Sequence, residues 1–123
     1  MAVQTRTRPP ASDSAVASRV RSIAEKLSLS QGEIGQMLQS SQRTVNRWAT
    51  GESTPHAVAK QRLLELGYIS DELLKLMKRP DANLWLFSPN KRLKGESPSE
   101  LIRRGESKKV RGLIEALAEG IVV

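Results

Sequence analysis

The sequence predicts an all-α protein in which an N-terminal helical bundle is joined by a long helix to a small helical C-terminal domain. Apolar residues recur at intervals of three and four along most of the 123-residue chain, which is the spacing of amphipathic helices. Residues that cap helices stand before several of these stretches, and glycine follows several of them. No internal repeat and no low-complexity run interrupts the pattern.

The first helix is predicted to begin at Ser12 or Asp13, because either side chain can accept a hydrogen bond from the first helical turn. Its apolar stripe consists of Val16, Val20, Ile23 and Leu27. These residues follow one another at helical intervals, so they face one side of the helix. We expect this stripe, together with Leu29, to pack against the two helices that follow.

Two short helices joined by a tight turn are predicted between Ser30 and Pro55. Ser30 and Glu33 have the spacing of a capping box at the start of the first helix. Ser41 is placed to cap the second helix, and Gly51 to end it in a left-handed conformation. The residues predicted to be buried on these two helices are Ile34, Met37, Leu38, Val45 and Trp48.

The outward face of the second short helix carries side chains that hydrogen-bond base edges and phosphates. They are Gln42, Arg43, Asn46 and Arg47. The segment resembles the helix-turn-helix of the Xre/Cro-repressor class, and the matching residues are Gln31, Ile34, Gly35, Leu38, Ser41, Thr44, Val45, Arg47, Trp48 and Gly51. The turn departs from that pattern, because Gln39 and Ser40 stand where glycine and an aliphatic residue are usual.

The predicted DNA-binding residues are Gln31, Ser41, Gln42, Arg43, Thr44, Asn46 and Arg47. We expect Gln31 and Thr44 to contact phosphates, and Arg47 to contact either a base or a phosphate. The formal net charge of +7 favours a phosphate partner such as double-stranded operator DNA. At the N-terminus, Arg6 and Arg8 lie in a segment that we expect to be a flexible tail rather than a minor-groove arm.

A longer helix is predicted from near Pro55 to position 77 or 78, with Pro80 ending it. Its core or interface residues are Leu63, Leu66, Leu73, Leu76 and Met77. The sequence does not decide whether Gly67 leaves this helix continuous, kinks it or splits it in two. His56 is the only histidine in the chain, and its place near the helix start suggests a cap or a solvent-exposed side chain.

The second half of the chain has its own helix signals. Asp81 is predicted to cap a short turn that carries four large apolar residues at 84–87, a run that implies burial on several sides or against a partner. Ser97 and Pro98 begin a short helix. A last helix is predicted from about Glu106 to Glu119. Its buried face consists of Val110, Leu113, Ile114 and Leu117.

A motif runs through this second half: L-W-L-F-S-P-N at 84–90, then Leu93, Gly95, Pro98, Glu100, Leu101, Ile102, Gly105, Val110, Leu113, Ile114, Leu117 and Gly120. It is similar to the toxin-binding domain of the Xre/MbcA/ParS-type antitoxin family, in which this domain follows a helix-turn-helix. The resemblance implies an antitoxin whose partner is a RES-domain toxin, an enzyme that consumes NAD.

The residues expected to bind the toxin are Arg103, Lys108, Lys109, Arg111, Glu119, Gly120, Ile121, Val122 and Val123. Gly120 is predicted to stop the last helix and to leave three β-branched residues free to extend. We expect this tail to enter the NAD pocket of the toxin. The rival interpretation is that the tail packs on its own domain and that only the face of the last helix binds.

The predicted organisation has four parts. They are a flexible arm (1–12), a helix-turn-helix DNA-binding region (13–54), a connecting helix (55–79) and a toxin-binding domain (80–123). The favoured function is an antitoxin that inhibits its toxin and represses its own operon. The alternative is a plain Xre-type dimeric repressor with a C-terminal dimerisation domain. We expect homo-oligomers and hetero-oligomers with the toxin.

The sequence argues against an enzyme. The chain has no cysteine and one histidine, and it has no glycine-rich phosphate loop and no metal-ligand spacing. We therefore expect no cofactor and no metal. No apolar run approaches the roughly 20 residues of a membrane span, and the composition fits a cytoplasmic protein.

Overall fold

A computed structural model of the chain describes residues 11–120, and within this range it confirms the all-α prediction. The helices are α1 (Ala11–Leu27), α2 (Gln31–Leu38), α3 (Gln42–Thr50), α4 (Ala57–Leu76), α5 (Arg79–Phe87), a 3₁₀ turn (Lys91–Leu93), α6 (Pro98–Arg103) and α7 (Ser107–Ala118). No β-strand is present in the described range. An isolated antiparallel bridge joins Asn90 to Glu96 across the 3₁₀ turn.

The first helix, α1, begins at Ala11. The prediction that Ser12 or Asp13 caps it is wrong, because both residues already lie inside its first turn. Its apolar stripe is buried as predicted. At its other end Ser28 adopts a left-handed conformation with φ of 54°, and the side-chain amide of Asn83 on α5 donates to the carbonyl oxygens of Leu27 and Ser28 at 2.7 and 3.2 Å.

The caps of α2 and α3 are confirmed. The Ser30 hydroxyl accepts the Glu33 N–H at 3.0 Å, and the Glu33 carboxylate accepts the Ser30 N–H at 2.9 Å. The Ser41 hydroxyl caps α3, and Gly51 ends it with φ of 83°. All five residues predicted to be buried on these helices are buried.

The connecting helix α4 is continuous through Gly67. Gly67 is buried against α1, where a Cβ atom would lie 3.1 Å from the Arg19 side chain, so close packing explains this glycine and no kink is needed. His56 is the N-cap, and its Nδ1 accepts the Ala59 N–H at 3.4 Å. The backbone becomes extended at Met77. The prediction that Pro80 ends α4 is therefore wrong.

Pro80 instead lies in the first turn of α5, where a missing N–H costs nothing. Asp81 also lies in that turn, so the prediction that it caps the segment is wrong; the N-cap position is held by Lys78, without a side-chain hydrogen bond. The apolar run 84–87 faces several directions. Leu86 is fully buried and Leu84 is 66% exposed, while the other two residues are half-buried against the core.

One hydrophobic core extends from α1 to α7. Helix α4 packs on α1 with one side and on α7 with another, and α2 also packs on α6. The central residues of this core are Ile23, Leu27, Ile34, Leu63, Leu66, Ile69, Leu73, Leu86 and Ile102, all almost fully buried. The N-terminal and C-terminal halves are therefore in direct contact, and the domain boundaries given above stay predictions.

Candidate nucleic-acid and partner-protein interfaces

Helix α3 has one buried face and one polar face. Val45, Trp48 and Ala49 are buried beneath it, where they fix the helix on α1 and α2. The opposite face exposes the four side chains predicted to read DNA, Gln42, Arg43, Asn46 and Arg47. Helical spacing places them on one continuous surface, so the structure brings these four predicted residues together.

An open depression lies at the start of this surface. It has a volume of about 520 Å³ and is lined by Gln31, Gln42, Arg43 and Asn46. The half-buried Gln31 of α2 therefore lies beside the first turn of α3. Arg47 lies one turn beyond Arg43, outside the depression.

The remaining two predicted DNA-binding residues also serve the helix cap. The Ser41 hydroxyl accepts the Thr44 N–H at 3.0 Å and donates to the Thr44 hydroxyl at 2.9 Å. Thr44 is half-buried. Each of these two residues therefore has a local structural role, in addition to its position near the exposed face.

The exposed face of α3 is cationic. Within the described part of the chain, neither Arg43 nor Arg47 forms an ion pair with an acidic side chain, so both guanidinium groups are available to phosphates or bases. The far end of α3 is tied to α1, because Arg21 donates to the Ala49 carbonyl oxygen at 2.6 Å. No local sequence pattern predicts this contact, which spans 28 positions.

Gln39, the unusual residue in the turn between α2 and α3, has a structural explanation. It adopts the left-handed conformation, with φ of 55°, which glycine would adopt at lower cost. Its side-chain amide donates to the Arg103 carbonyl oxygen at the end of α6, at 2.5 Å. A glycine could not make this contact, so Gln39 joins the α2–α3 turn to the C-terminal half.

The basic residues predicted to bind a toxin do not form one patch. Arg103 is paired with Glu100 on the same helix, and Lys109 with Glu106 at 2.8 Å. Lys108 is exposed. Arg111 lies on another side of α7, half-buried, with its guanidinium carbon 5.7 Å from the centre of the Tyr68 ring. This cation–π contact gives Arg111 a structural role against α4.

The C-terminal end of α7 is only partly described. Helix α7 stops at Ala118, Glu119 is its C-cap, and Gly120 follows with φ of 83°, so the predicted helix stop is confirmed. Glu119 and Gly120 are both exposed. The other predicted toxin-binding residues, Ile121, Val122 and Val123, lie outside the described residues.

A groove beside α7 contains four cationic residues, all of which except Lys109 were absent from the predicted toxin-binding residues. It has a volume of about 460 Å³ and is enclosed by the 3₁₀ turn, α6 and α7. Arg92, Lys94, Arg104 and Lys109 line it. No sequence signal joins these four residues, because three separate elements supply them.

Two carboxylates hold part of this groove in place. Glu106 accepts from Arg104 at 3.0 Å and from Lys109 at 2.8 Å, and Glu96 accepts from Arg104 at 2.7 Å. Hydrogen bonds from Lys109 and Arg104 hold the pKa of Glu106 below its ordinary value. The hydrogen bond to Glu96 likewise raises the pKa of Arg104. Both of these groove-lining cations are thereby held by ion pairs.

Comparison with known proteins gives a consistent group of relatives. The chain is 43% identical over 108 residues to the mycobacterial cidal antitoxin MbcA of Mycobacterium bovis and to that of Mycobacterium tuberculosis, with 88% of this chain and 96% of each relative covered. A scan against models of protein families finds no match. Within residues 11–120, no helix is both long enough and apolar enough to cross a membrane.

The fold has a match among solved structures. It superposes on a chain of the crystal structure of the M. tuberculosis MbcT-MbcA toxin-antitoxin complex with a TM-score of 0.79 and 43% sequence identity. The match covers 87% of this chain and 96% of that chain. Sequence and fold therefore agree over nearly the whole length of the solved chain.

Proposed function

The chain belongs to the family of the MbcA antitoxins, and on that premise we propose that it is a cytoplasmic antitoxin that binds and inhibits a RES-domain, NAD-degrading toxin. The observation that carries this proposal is the 43% identity over 96% of MbcA. The related chain was solved in a complex of a toxin with its antitoxin. The motif between Leu84 and Gly120 supports the RES-domain class of the partner, as the family resemblance implies.

The second activity in this proposal is repression of the operon through operator DNA. The polar face of α3 supports it, because Gln42, Arg43 and Asn46 are exposed together beside Gln31. The exposed Arg47 extends the same cationic surface. Side chains of these types read base edges in the major groove, while Gln31 and Thr44 are proposed to contact the phosphate backbone and Ser41 lies beside them as the cap of α3.

Inhibition of the toxin is assigned to the C-terminal half. The exposed residues proposed to contact the toxin are Arg103, Lys108, Lys109, Glu119 and Gly120, with Arg111 beneath them on the side of α4. The tail of Ile121, Val122 and Val123 is proposed to enter the NAD pocket of the toxin. Such a plug would block NAD without any chemistry on this chain, so no catalytic residue is required.

Co-expression with the product of the adjacent reading frame tests the function as a whole. The expected result is that this product alone stops growth and depletes cellular NAD, and that the present chain restores both and co-purifies with it. If the adjacent product leaves the cellular NAD level unchanged, the proposal that the partner is an NAD-degrading toxin is wrong. Operator binding without any co-purifying protein would favour the plain dimeric repressor.

Removal of residues 120–123 tests the plug. We expect the truncated protein to stay folded, because Ile114 is the last core residue within the described range 11–120, and to lose protection of NAD levels while retaining operator binding. A folded truncated protein that protects NAD as well as the full chain does would transfer the inhibitory role to the face of α7.

A further inference from the structure

We propose that the groove between the 3₁₀ turn, α6 and α7 is the docking site for an acidic segment of the toxin that also carries apolar side chains. This inference rests on the proposed function and specifies where the partner binds. It differs from the tail plug, because the groove lies along the side of α7. It would take one short segment, since its volume of about 460 Å³ is within the range of pockets that enclose small ligands.

The groove combines an apolar floor with a cationic rim. Leu93, Leu101 and Leu113 form the floor, each less than one-tenth exposed. Arg92, Lys94, Arg104 and Lys109 supply four positive charges around it. Glu96 in the lining and Glu106 behind it supply two negative charges. The rim therefore keeps a positive excess, and charge complementarity favours an acidic occupant.

Two of these cations are already oriented. Glu106 and Glu96 hold Arg104 from two sides, and Glu106 also holds Lys109. A side chain that is held in place before binding loses less conformational entropy when a partner arrives. The geometry therefore gives the acidic segment a partly preorganised site rather than a set of freely moving lysines and arginines.

Gly112 is the feature that the fold itself does not explain. It lies inside α7 and lines the groove, and a Cβ atom at this position would meet no heavy atom within 4 Å. Glycine inside a helix is less stable than alanine, and neither close packing nor a positive φ requires it here. One turn further on, the small Ala116 also lines the groove. Small residues at both positions keep the groove open.

The test compares Gly112→Phe with Gly112→Ala in the full chain. The probe is the toxin encoded by the adjacent reading frame, and its Kd is measured for each variant. Because a Cβ atom at position 112 would meet no heavy atom within 4 Å, we expect phenylalanine to extend into the groove without disturbing the core. We expect Gly112→Phe to weaken binding by about tenfold or more, as for a blocked interface centre. Gly112→Ala should keep binding and raise the Tm.

A second pair of variants tests the charge. Lys109→Glu reverses a groove cation, while Lys78→Glu makes the same change on an exposed residue that lies outside the groove lining and is not among the proposed toxin-binding residues. We expect only Lys109→Glu to weaken toxin binding by about tenfold. Equal losses of toxin affinity in both variants would mean that the net charge of the chain alone attracts the toxin. That result would contradict the groove as the docking site. Thermal melting of each variant shows whether it is folded.

The possible results of these binding measurements distinguish a failure of the groove proposal from a failure of the proposed antitoxin function. If the wild-type chain binds the toxin and folded Gly112→Phe binds it equally well, the groove proposal fails and the antitoxin function stands. If the wild-type chain does not bind the toxin, the proposed function fails, and the groove with it. If Gly112→Phe keeps its toxin affinity but sediments as a smaller species, the groove binds a second copy of the chain instead.

Discussion

Gly35 in α2 shows why a single methyl group is expected to matter in the region proposed to bind DNA. The chain turns directly over this residue, and the Ser40 N–H donates to the Gly35 carbonyl oxygen at 2.8 Å. A Cβ atom at position 35 would lie 2.5 Å from the Ser40 carbonyl oxygen, which no side-chain movement can relieve. The turn between α2 and α3 is therefore set by a close backbone approach.

We expect Gly35→Ala to destabilise the protein by about 1–3 kcal/mol, the usual cost of forcing extra volume into a packed site. Since α3 must shift to relieve the contact, operator affinity should fall as well. The matched control is Gly32→Ala on the same helix, where a Cβ atom would meet only ordinary contacts at 3.5 Å or more. Chemical denaturation of both variants measures the difference. Equal stability of the Gly35→Ala and Gly32→Ala variants would contradict the steric role of Gly35.

The two arginines on the exposed face of α3 give the second prediction at this scale. Arg43→Ala should cost about 1–3 kcal/mol of operator affinity if Arg43 contacts a base. If Arg47 contacts a phosphate, Arg47→Ala should lower the salt dependence of binding. A gel shift with the upstream promoter measures both effects. The double variant should still neutralise the toxin; if it also keeps full promoter affinity, DNA reading is not a property of this face.

At the scale of elements, the short connection from α6 to α7 depends on Glu106. The side chain of this N-cap residue of α7 makes no capping hydrogen bond to the first turn of the helix. It instead pairs with Arg104 before it and Lys109 after it. The carboxylate therefore stabilises the corner as an ion-pair centre, and this role requires its negative charge.

The pH dependence of stability follows from that charge. Hydrogen bonds from Lys109 and Arg104 lower the pKa of Glu106 in the folded state. Its stabilising contribution is thus fully present above the unfolded pKa of about 4.3, and it is lost as the pH falls through the lower, folded value. Melting curves of the wild type and Glu106→Gln should differ at neutral pH and converge as the pH falls below the unfolded pKa of about 4.3. Curves with a constant separation would contradict this role.

At the scale of the whole molecule, apolar side chains are exposed on two surfaces, one on α4 and one on α5, and both are candidate dimer contacts. Val58, Leu64, Tyr68 and Leu76 are exposed on α4, and Leu84 on α5. A single recognition helix contacts few bases, so specific binding normally uses two copies spaced by about one turn of DNA. Both arguments favour an assembly of at least two chains.

Sedimentation velocity over a range of concentrations, with and without the toxin, measures this assembly. We expect at least a dimer. Leu64→Lys and Leu84→Lys each place a charge at the centre of one candidate surface, and the variant that sediments as a monomer identifies the contact. A wild-type chain that stays monomeric at every concentration, alone and with its toxin, would contradict the prediction.

The sequence by itself determined the helices and the polar face of α3. Caps and apolar spacing are interactions within about four residues, so Ser30, Ser41 and Ser97 identified three helix starts correctly. Pro80 and Asp81 gave wrong boundaries, because the same residue types suit either the end of one helix or the first turn of the next. The extended backbone at Met77 ends α4 before either residue is reached. Both Pro80 and Asp81 therefore lie in the first turn of α5.

Only the tertiary structure decided which distant residues meet. Gln39 contacts Arg103 across 64 positions, and Asn83 reaches Leu27 across 56. Arg111 turns toward Tyr68 on α4, although sequence placed it beside Lys108 and Lys109 as one basic cluster. The groove next to Gly112 likewise exists only after three elements pack together. No local pattern encodes these contacts, because they depend on how the helices are oriented around the shared core.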